Sequence, residues 1–319
     1  MPQPNAFTGA ALDRAADGRR RDGAWLAAQR AHPHARALIA GSAGVRAAGD
    51  TIELEPLESA LDGGAAEPIL LGLDAAGPVF ALDEDVPVDG APPGFVGAAG
   101  RRGEPGSPAR GRLGLREAAS LLAQAEGGLL AYAAALLNWH RGHRFCANCG
   151  AATDLGEGGM LRCCPACGTT HHPRVDPVVI MLVTGGERLL LGRQASWPAR
   201  RYSALAGFVG AGETLEEAVA REVEEEAGVQ VGAPVYVSSQ PWPFPASLML
   251  GFIVPWRRGE IGGRDEELQD ARWFERGEVA DAASEDPAWD GGTPDDGDGL
   301  LLPPRAAIAR RLIERWLSG

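Results

Sequence analysis

Lysine is absent from this 319-residue chain, so its 30 basic residues are all arginine. A Walker-type phosphate loop and a lysine Schiff base are therefore both excluded. The chain also lacks an apolar run of the roughly 20 residues that a membrane helix needs. The arginines and histidines that follow Arg19-Arg20-Arg21 disfavour a secretory signal. The expected location is the cytoplasm.

Acidic residues outnumber basic ones, giving a net charge of −13. This balance disfavours a surface that binds duplex nucleic acid mainly through its phosphates. The excess is local, because the segment 259–299 holds 14 acids and 3 arginines. The rest of the chain is close to neutral.

The five cysteines all lie between Cys146 and Cys167. A disulfide framework would spread them along the chain, so their grouping indicates a metal site in a reducing compartment. Cys146 and Cys149 form one Cys-x-x-Cys pair, and Cys164 and Cys167 form another 14 residues later. Four thiolates at this spacing predict a tetrahedral structural zinc site, and Cys163 is the spare. The alternative is that the cysteines are simply buried.

Hydrophobic periodicity predicts strands mixed with helices, and hence an α/β (α+β) domain from about Pro173 onward. A capping box of Thr214 and Glu217 begins one helix, and Gly228 ends it. We expect the first 45 residues to be loosely ordered. The predicted strands are 51–54, 68–73, 178–183 with a hairpin partner at 188–191, 229–237 and 248–254; the helices are 115–139, 215–227 and one beginning at Pro303-Pro304; the loops are 89–111 and 284–299.

The helix 215–227 carries three carboxylates on one arc, because Glu225 lies about 60° to one side of Glu222 and Glu226 about 40° to the other. Like charges at these spacings repel by about 0.2–0.5 kcal/mol per pair. Hard cations such as Mg²⁺ or Mn²⁺ convert that repulsion into coordination. The alternative is a solvated acidic face.

The segment from Gly207 to Val229 has the pattern G-x5-E-x7-R-E-U-x-E-E-x-G-U, in which U is aliphatic. It resembles the Nudix box, the signature of hydrolases that cleave a nucleoside diphosphate linked to another group. The resemblance implies an α/β/α sandwich in which Glu222, Glu225 and Glu226 bind Mg²⁺ or Mn²⁺. One of these carboxylates, or one from a later loop, would be the base for water. Glu213 and Arg221 would orient the loop, and Gly207 and Gly228 would permit tight turns.

A proline and aromatic array follows, Ser239-Gln240-Pro241-Trp242-Pro243-Phe244-Pro245-Ala246-Ser247. Its rigid extended backbone presents flat apolar faces that suit a base or a pyridine ring. The alternative is a proline-rich surface turn. The array is similar to one that marks the NADH pyrophosphatases, or NudC type, of the Nudix group, which also carry a four-cysteine zinc ribbon before the Nudix domain.

That second resemblance runs from about Leu115 to the C-terminus and implies further site residues. The carbonyl of Ala206 and the carboxylate of Glu267 would be additional metal ligands, although Glu267 also fits a plain acidic stretch. Phe208 would stack on nicotinamide, and His172 either joins it or is an ordinary surface histidine. Arg116 would contact a substrate phosphate. The array residues Gln240, Pro241, Trp242, Pro243, Phe244, Pro245, Ala246 and Ser247 would line the substrate pocket.

The predicted organisation is a loosely ordered segment (1–45), a smaller β-rich N-terminal domain (46–118), a linking helix (119–145), a zinc ribbon (146–172) and a Nudix domain (173–319). The predicted activity is hydrolysis of the diphosphate of NADH or NAD⁺, giving nicotinamide mononucleotide and AMP. One alternative is removal of NAD caps from RNA 5′ ends by the same chemistry. Another is a zinc-ribbon nucleic-acid-binding protein without catalysis. Relatives of this type form homodimers, and we expect the same here.

Overall fold

A computed structural model describes residues 4–41, 44–62, 67–85, 112–262, 267–288 and 299–319. The chain divides into two compact units. The amino-terminal unit consists of Phe7–Val175 and Trp242–Ala246, and the carboxy-terminal unit consists of Met1–Ala6, Asp176–Pro241 and Ser247–Gly319. No helix of the described residues is long and apolar enough to cross a membrane.

In the amino-terminal unit, a mixed sheet packs against the longest helix of that unit. Strand β1 runs parallel to β6 and antiparallel to β2. Leu130, Ala133 and Leu137 of helix α5 share a core with Leu38 of β1 and Leu71 of β5. The elements before the zinc ribbon are α1 (Asp17–Arg20), α2 (Gly23–Arg30), β1 (Arg36–Gly41), β2 (Gly44–Ala48), β3 (Thr51–Ile52), β4 (Glu55–Pro56), α3 (Leu57–Asp62), β5 (Ile69–Asp74), β6 (Gly77–Asp83), β7 (Arg112–Leu113), α4 (Leu115–Leu121) and α5 (Gln124–Gly142).

The structure departs from two expectations in this unit. Residues 17–41 form two helices and a strand, although their composition predicts loose order. Arg20 explains part of this order, because it is buried and donates hydrogen bonds to the carbonyls of Arg14, Leu70 and Leu71. The predicted helix 115–139 is instead two helices, α4 and α5, separated at Leu122 and Ala123. The predicted loop 89–111 lies outside the described residues.

The carboxy-terminal unit is built around β11 (Asp176–Thr184), a strand in which residues 177–183 are all apolar. It pairs antiparallel with β12, which confirms the predicted hairpin, and parallel with β16. The sheet order is β14-β16-β11-β12-β17, with β13 on β11 and β15 on β16. The strands are β12 (Arg188–Arg193), β13 (Leu205–Phe208), β14 (Gln230–Val231), β15 (Val235–Trp242), β16 (Ser247–Arg258) and β17 (Asp270–Glu275), and the helices are α6 (Leu215–Ala227), α7 (Arg276–Ala282) and α8 (Ile308–Leu317).

Alternate residues of β11 face opposite sides of this sheet, as the period of two of a strand requires. Val179 and Met181 pack against Val219 of α6, whereas Ile180 and Leu182 pack against Leu312 of α8. The unit is therefore an α/β/α sandwich, which confirms the predicted fold. Helix α8 begins at Ile308 rather than at Pro303-Pro304, and part of the predicted loop 284–299 lies outside the described residues.

Candidate functional site

The four paired cysteines lie close together in the three-stranded ribbon formed by β8 (Asp154–Gly156), β9 (Leu161–Cys163) and β10 (Thr170–His171). Their sulfur atoms all lie within 4.8 Å of one another. Cys146 Sγ is 3.7 Å from Cys167 Sγ, and Cys149 Sγ is 3.5 Å from Cys164 Sγ. Tetrahedral zinc with bonds of about 2.3 Å places its sulfurs about 3.8 Å apart. The cluster therefore fits a structural zinc ion, as the spacing predicts.

Neighbouring residues lower the pKa of the Cys146 and Cys167 thiols, whereas hydrogen bonds with the other cysteines raise the pKa of Cys149. Hydrogen bonds with Thr169 lower the pKa of the Cys167 thiol to about 5, and His171 Nε2 lies 3.3 Å from Cys146 Sγ. Cys163 lies apart from this group and its Sγ packs 3.1 Å from the position that a Cβ on Gly156 would occupy. The structure thus agrees with Cys163 as the spare. The contact of His171 with Cys146 has no signal in the sequence pattern.

The glutamate site lies on α6, whose bounds match the prediction at both ends. Thr214 Oγ1 accepts a hydrogen bond from the Glu217 amide, and Gly228 ends the helix with a φ of 73°. A side chain at Gly228 would be strained by that φ and would also meet the Gly262 carbonyl at 2.5 Å. The capping box and this glycine fix where α6 begins and ends. The residues of α6 that face β13 follow from those bounds.

The guanidinium group of Arg221 forms hydrogen bonds with three acidic side chains. Its Nη1 donates to Glu222 Oε1 at 2.8 Å and to Glu225 Oε2 at 2.9 Å. Its Nε and Nη2 donate to both carboxylate oxygens of Glu213, and Nη2 also donates to the Phe208 carbonyl at 2.9 Å. The Gly210 amide donates to Glu213 as well, at 2.7 Å. These contacts join the loop 208–213 to the helix, and the orienting roles of Glu213 and Arg221 stay predictions.

The electrostatic environments of these acids differ. The hydrogen bond from Arg221, followed by that from Gly210, lowers the pKa of Glu213 to about 2. Burial raises the pKa of Glu222, and the nearby charges of Glu225 and Glu267 raise it further against the opposing effect of Arg221. Glu226 is buried, at 5% exposure, whereas the Glu225 side chain is 46% exposed.

Gly207 has a direct structural reason to be glycine. The carboxylate of Glu222 lies where a Cβ would stand, with its Cδ 1.9 Å from that position. Gly207 pairs with Val179 of the central strand, and the preceding Ala206 pairs with Ile180. The acidic side chain is therefore seated directly against the backbone of β13, next to the carbonyl that we expect to share a cation.

The fit of these residues to a divalent cation follows from the donor set. Hard cations take oxygen ligands, and this site offers several carboxylates against a single guanidinium. Gln194 Nε2 donates to Glu267 Oε1 at 3.2 Å, so Glu267 is held at the end of the loop before β17. In the described part of the chain, the four cysteines are the one group of three or more such side chains placed to hold a metal ion, so the glutamates do not converge in the same way. Arg221 engages two of them instead.

The aromatic array spans the end of β15 and the turn that precedes β16. Trp242 and Phe244 lie 5.0 Å apart between ring centroids. The guanidinium of Arg116 lies 5.2 Å from the centre of the Phe244 ring, so the structure brings Arg116 to the array. Phe7 contacts both rings with its edge, at 6.3 Å in each case. Sequence reasoning missed Phe7, because more than two hundred residues separate it from these partners.

Gln240, which is predicted to line the substrate pocket, also makes hydrogen bonds within the fold. It is fully buried, and its Nε2 donates to the carbonyls of Ala306 and Ala6. Its Oε1 accepts a hydrogen bond at 2.8 Å from the amide of Ile308, the first residue of α8. Its side-chain amide is thus engaged with backbone groups of its own unit.

The remaining predicted substrate residues differ in exposure. Phe208 is 61% exposed and free of a core role, which suits a stacking side chain. His172 is exposed and lies just after β10. Within the array, Pro243 is buried, Pro245 is exposed, and Pro241, Ala246 and Ser247 are intermediate.

Three family models match successive parts of this chain. Residues 173–292 match the NUDIX domain, residues 141–171 the NADH pyrophosphatase zinc ribbon domain, and residues 34–139 the NADH pyrophosphatase-like rudimentary NUDIX domain. A NUDIX hydrolase crystal structure from Nitrosomonas europaea aligns with 42% of this chain and 78% of its own, at 25% identity and a TM-score of 0.38.

Curated relatives match over the same region. The NAD-capped RNA hydrolase NudC of Stutzerimonas stutzeri is 44% identical over 60% of this chain and 62% of its own length. The NAD-capped RNA hydrolase NUDT12 of Macaca fascicularis is 44% identical over 61% of this chain and 43% of its own. The mitochondrial NAD(P)H pyrophosphatase NUDT13 of Mus musculus is 43% identical over 64% of this chain and 58% of its own. The chain thus spans about half the length of the curated relatives it matches.

The chain therefore contains a NUDIX domain, which matches residues 173–292 and includes the glutamate helix and most of the α/β/α sandwich. The zinc ribbon and the rudimentary N-terminal domain are those described for NADH pyrophosphatases.

Proposed function

We propose that this protein hydrolyses the diphosphate of NADH or NAD⁺, giving nicotinamide mononucleotide, reduced or oxidised, and AMP. The observation that carries the proposal is the seat of Glu222 against Gly207, with Glu222 and Glu225 sharing the guanidinium of Arg221. The names of the relatives, which are NAD-capped RNA hydrolases and an NAD(P)H pyrophosphatase, support the substrate class.

Glu222, Glu225 and Glu226, with the Ala206 carbonyl and Glu267, are the proposed ligands of Mg²⁺ or Mn²⁺. When bound, such ions polarise a diphosphate and lower the pKa of an attacking water. Within the chain, Arg221 holds the ends of Glu222 and Glu225 while Glu213 fixes the loop. One of the carboxylates accepts the proton of the attacking water. This arrangement needs no lysine, because carboxylate-bound cations and arginine handle the phosphates.

The aromatic residues supply the proposed contacts to the substrate rings. Phe208 offers an exposed face for nicotinamide. Trp242 and Phe244 offer further ring faces, and Arg116 beside Phe244 adds a positive charge for a phosphate. His172 and the other array residues stay predictions as pocket-lining groups.

The test is incubation of the purified protein with NADH and Mn²⁺, followed by measurement of AMP. We expect metal-dependent AMP release that is abolished in Glu225→Gln and Glu226→Gln, with zinc content and the unfolding transition retained. Glu216→Gln is the matched control, because Glu216 lies on the same helix and is exposed. An absence of metal-dependent AMP from the wild type would refute the proposal.

NAD-capped RNA is the second candidate substrate, because two of the relatives are named for its hydrolysis. Competition between NADH and a capped RNA for one enzyme ranks the two, since each inhibits hydrolysis of the other if one site serves both. Tight RNA binding without turnover of either substrate would instead favour a non-catalytic zinc-ribbon protein. No disulfide joins any of the five cysteines, and we propose a reducing compartment such as the cytoplasm. Assembly as a homodimer stays a prediction, and sedimentation of the purified protein tests it.

A further inference from the structure

Phe7 combines burial with an unusual backbone conformation. Its side chain is 3% exposed, and its φ is 65°, in the left-handed region that bulky residues rarely adopt. Such a conformation persists only where surrounding contacts determine it, and these sites are often functional. The contacts around Phe7 should therefore show what holds it in this conformation.

The residues on both sides of Phe7 are held by side-chain hydrogen bonds. Asn5 Nδ2 donates to Ser239 O at 2.6 Å and to Ser238 Oγ at 3.2 Å. Thr8 accepts two hydrogen bonds from Gln124 Nε2, at its carbonyl and at its hydroxyl. The main chain at Phe7 is thus fixed before and after the residue, and the ring has little freedom to turn away.

The ring of Phe7 meets the two aromatic residues of the array edge-on. Its plane is inclined by 73° to the Trp242 ring and by 62° to the Phe244 ring. Edge-to-face contacts are favourable because the positive ring edge meets a negative ring face, and they fix orientation as well as distance. Trp242 and Phe244 stay only half-buried, so parts of both remain accessible to a ligand.

We propose that Phe7 is a positioning residue that holds Trp242 and Phe244 in the orientation in which they stack on a ring of the dinucleotide substrate. This inference rests on the proposed function and adds a residue that lies outside both the Nudix box and the array. Phe7 itself does not touch substrate. Removal of its ring should weaken binding of the substrate and leave the hydrolytic step unchanged.

The experiment compares Phe7→Leu with Phe80→Leu, because Phe80 is equally buried, in the same unit, at 4% exposure. We expect Phe7→Leu to raise KM for NADH about tenfold with kcat within twofold, since two edge-to-face contacts are lost. Phe80→Leu should lower the unfolding midpoint at least as much and leave KM unchanged. Phe7→Tyr, which keeps the ring edge, should restore KM.

A second measurement reports on Trp242 without any substrate. Incorporation of 5-fluorotryptophan gives one ¹⁹F resonance per tryptophan, and Trp242→Phe identifies the one that belongs to Trp242. Phe7→Leu should shift or broaden that resonance, and Phe80→Leu should not. If the resonance is unmoved, or if KM of Phe7→Leu equals that of Phe80→Leu in an active enzyme, the positioning role is refuted. If the wild type releases no AMP, the proposed function fails first and the substrate role of Phe7 falls with it.

Discussion

Replacement of Gly207 by alanine separates the stability of this protein from its activity. The added Cβ would stand 1.9 Å from Glu222 Cδ and 2.1 Å from both carboxylate oxygens. Ordinary contact begins at 3.4 Å, so the carboxylate must retreat by about 1.5 Å. The backbone of β13 does not need to move, because the clashing group is the end of a flexible side chain.

The two expected magnitudes are very different. Glu222 gives up its hydrogen bond to Arg221 but reaches solvent, and the variant gains from a less flexible unfolded chain, so the free energy of unfolding should change by no more than about 1 kcal/mol. A displacement of about 1 Å of a catalytic group can cost about 100-fold in rate. We therefore expect kcat for Mn²⁺-dependent NADH hydrolysis to fall at least about 100-fold.

Urea unfolding and steady-state AMP release measure the two quantities on the same preparation. Gly277→Ala is the control, because a Cβ at Gly277 meets nothing within 4 Å and lies in the same unit. If Gly207→Ala keeps kcat within threefold of the wild type, the reasoning is refuted, since activity would then not depend on the position of the Glu222 carboxylate against Gly207. Destabilisation by more than about 3 kcal/mol would show instead that Glu222 has no room to retreat.

Three further changes have defined outcomes. Cys164→Ser should lose the zinc ion and unfold the ribbon, whereas Cys163→Ser should keep one zinc per chain, as metal analysis of both variants would show. Burial lowers the pKa of His140 to about 4, so below its unfolded pKa of about 6.5 the unfolded chain binds the extra proton and stability falls with pH. This effect should cost about 2 kcal/mol between pH 7.5 and pH 5, and urea unfolding of His140→Gln should lack that part of the pH dependence; equal losses in both proteins would contradict it. Arg221→Lys should lower kcat by about tenfold or more while zinc content stays constant, because a single ammonium cannot reproduce the fork that joins Glu213, Glu222 and Glu225.

Where local chemistry determines structure, the sequence was a reliable guide. The bounds of α6 follow from Thr214, Glu217 and Gly228, and the hairpin of β11 and β12 follows from two apolar runs joined by a short glycine turn. The zinc cluster follows from cysteine spacing alone. In each case the interacting residues lie within about 20 positions of one another, so one short sequence motif includes both partners.

Where distant residues determine structure, the sequence was a poor guide. Residues 17–41 have a composition typical of disorder. Arg20 is nevertheless buried, and it donates hydrogen bonds to carbonyls of β5, about 50 positions away. Gln240 reads as part of a substrate motif, yet its amide binds the start of α8. Phe7 has no local signal at all. Tertiary contacts of this kind leave no periodicity, and a single sequence gives no means of finding them.

The charge balance around Arg221 is the strongest physical reason to expect a cation on α6. Three carboxylates, those of Glu213, Glu222 and Glu225, share its guanidinium within hydrogen-bond distance. One positive charge therefore faces three negative charges before Glu226 and Glu267 are added. A fold gains nothing from such an excess of negative charge, because carboxylates on one arc repel one another. A divalent cation would neutralise the charge that Arg221 does not. Arg221 therefore holds these acids close together without neutralising them, and negative charge remains for the proposed cation. Omission of Mg²⁺ and Mn²⁺ from the buffer, with one zinc per chain retained by metal analysis, should accordingly lower the unfolding midpoint of the wild type more than that of Glu225→Gln, in which part of the repulsion is already absent.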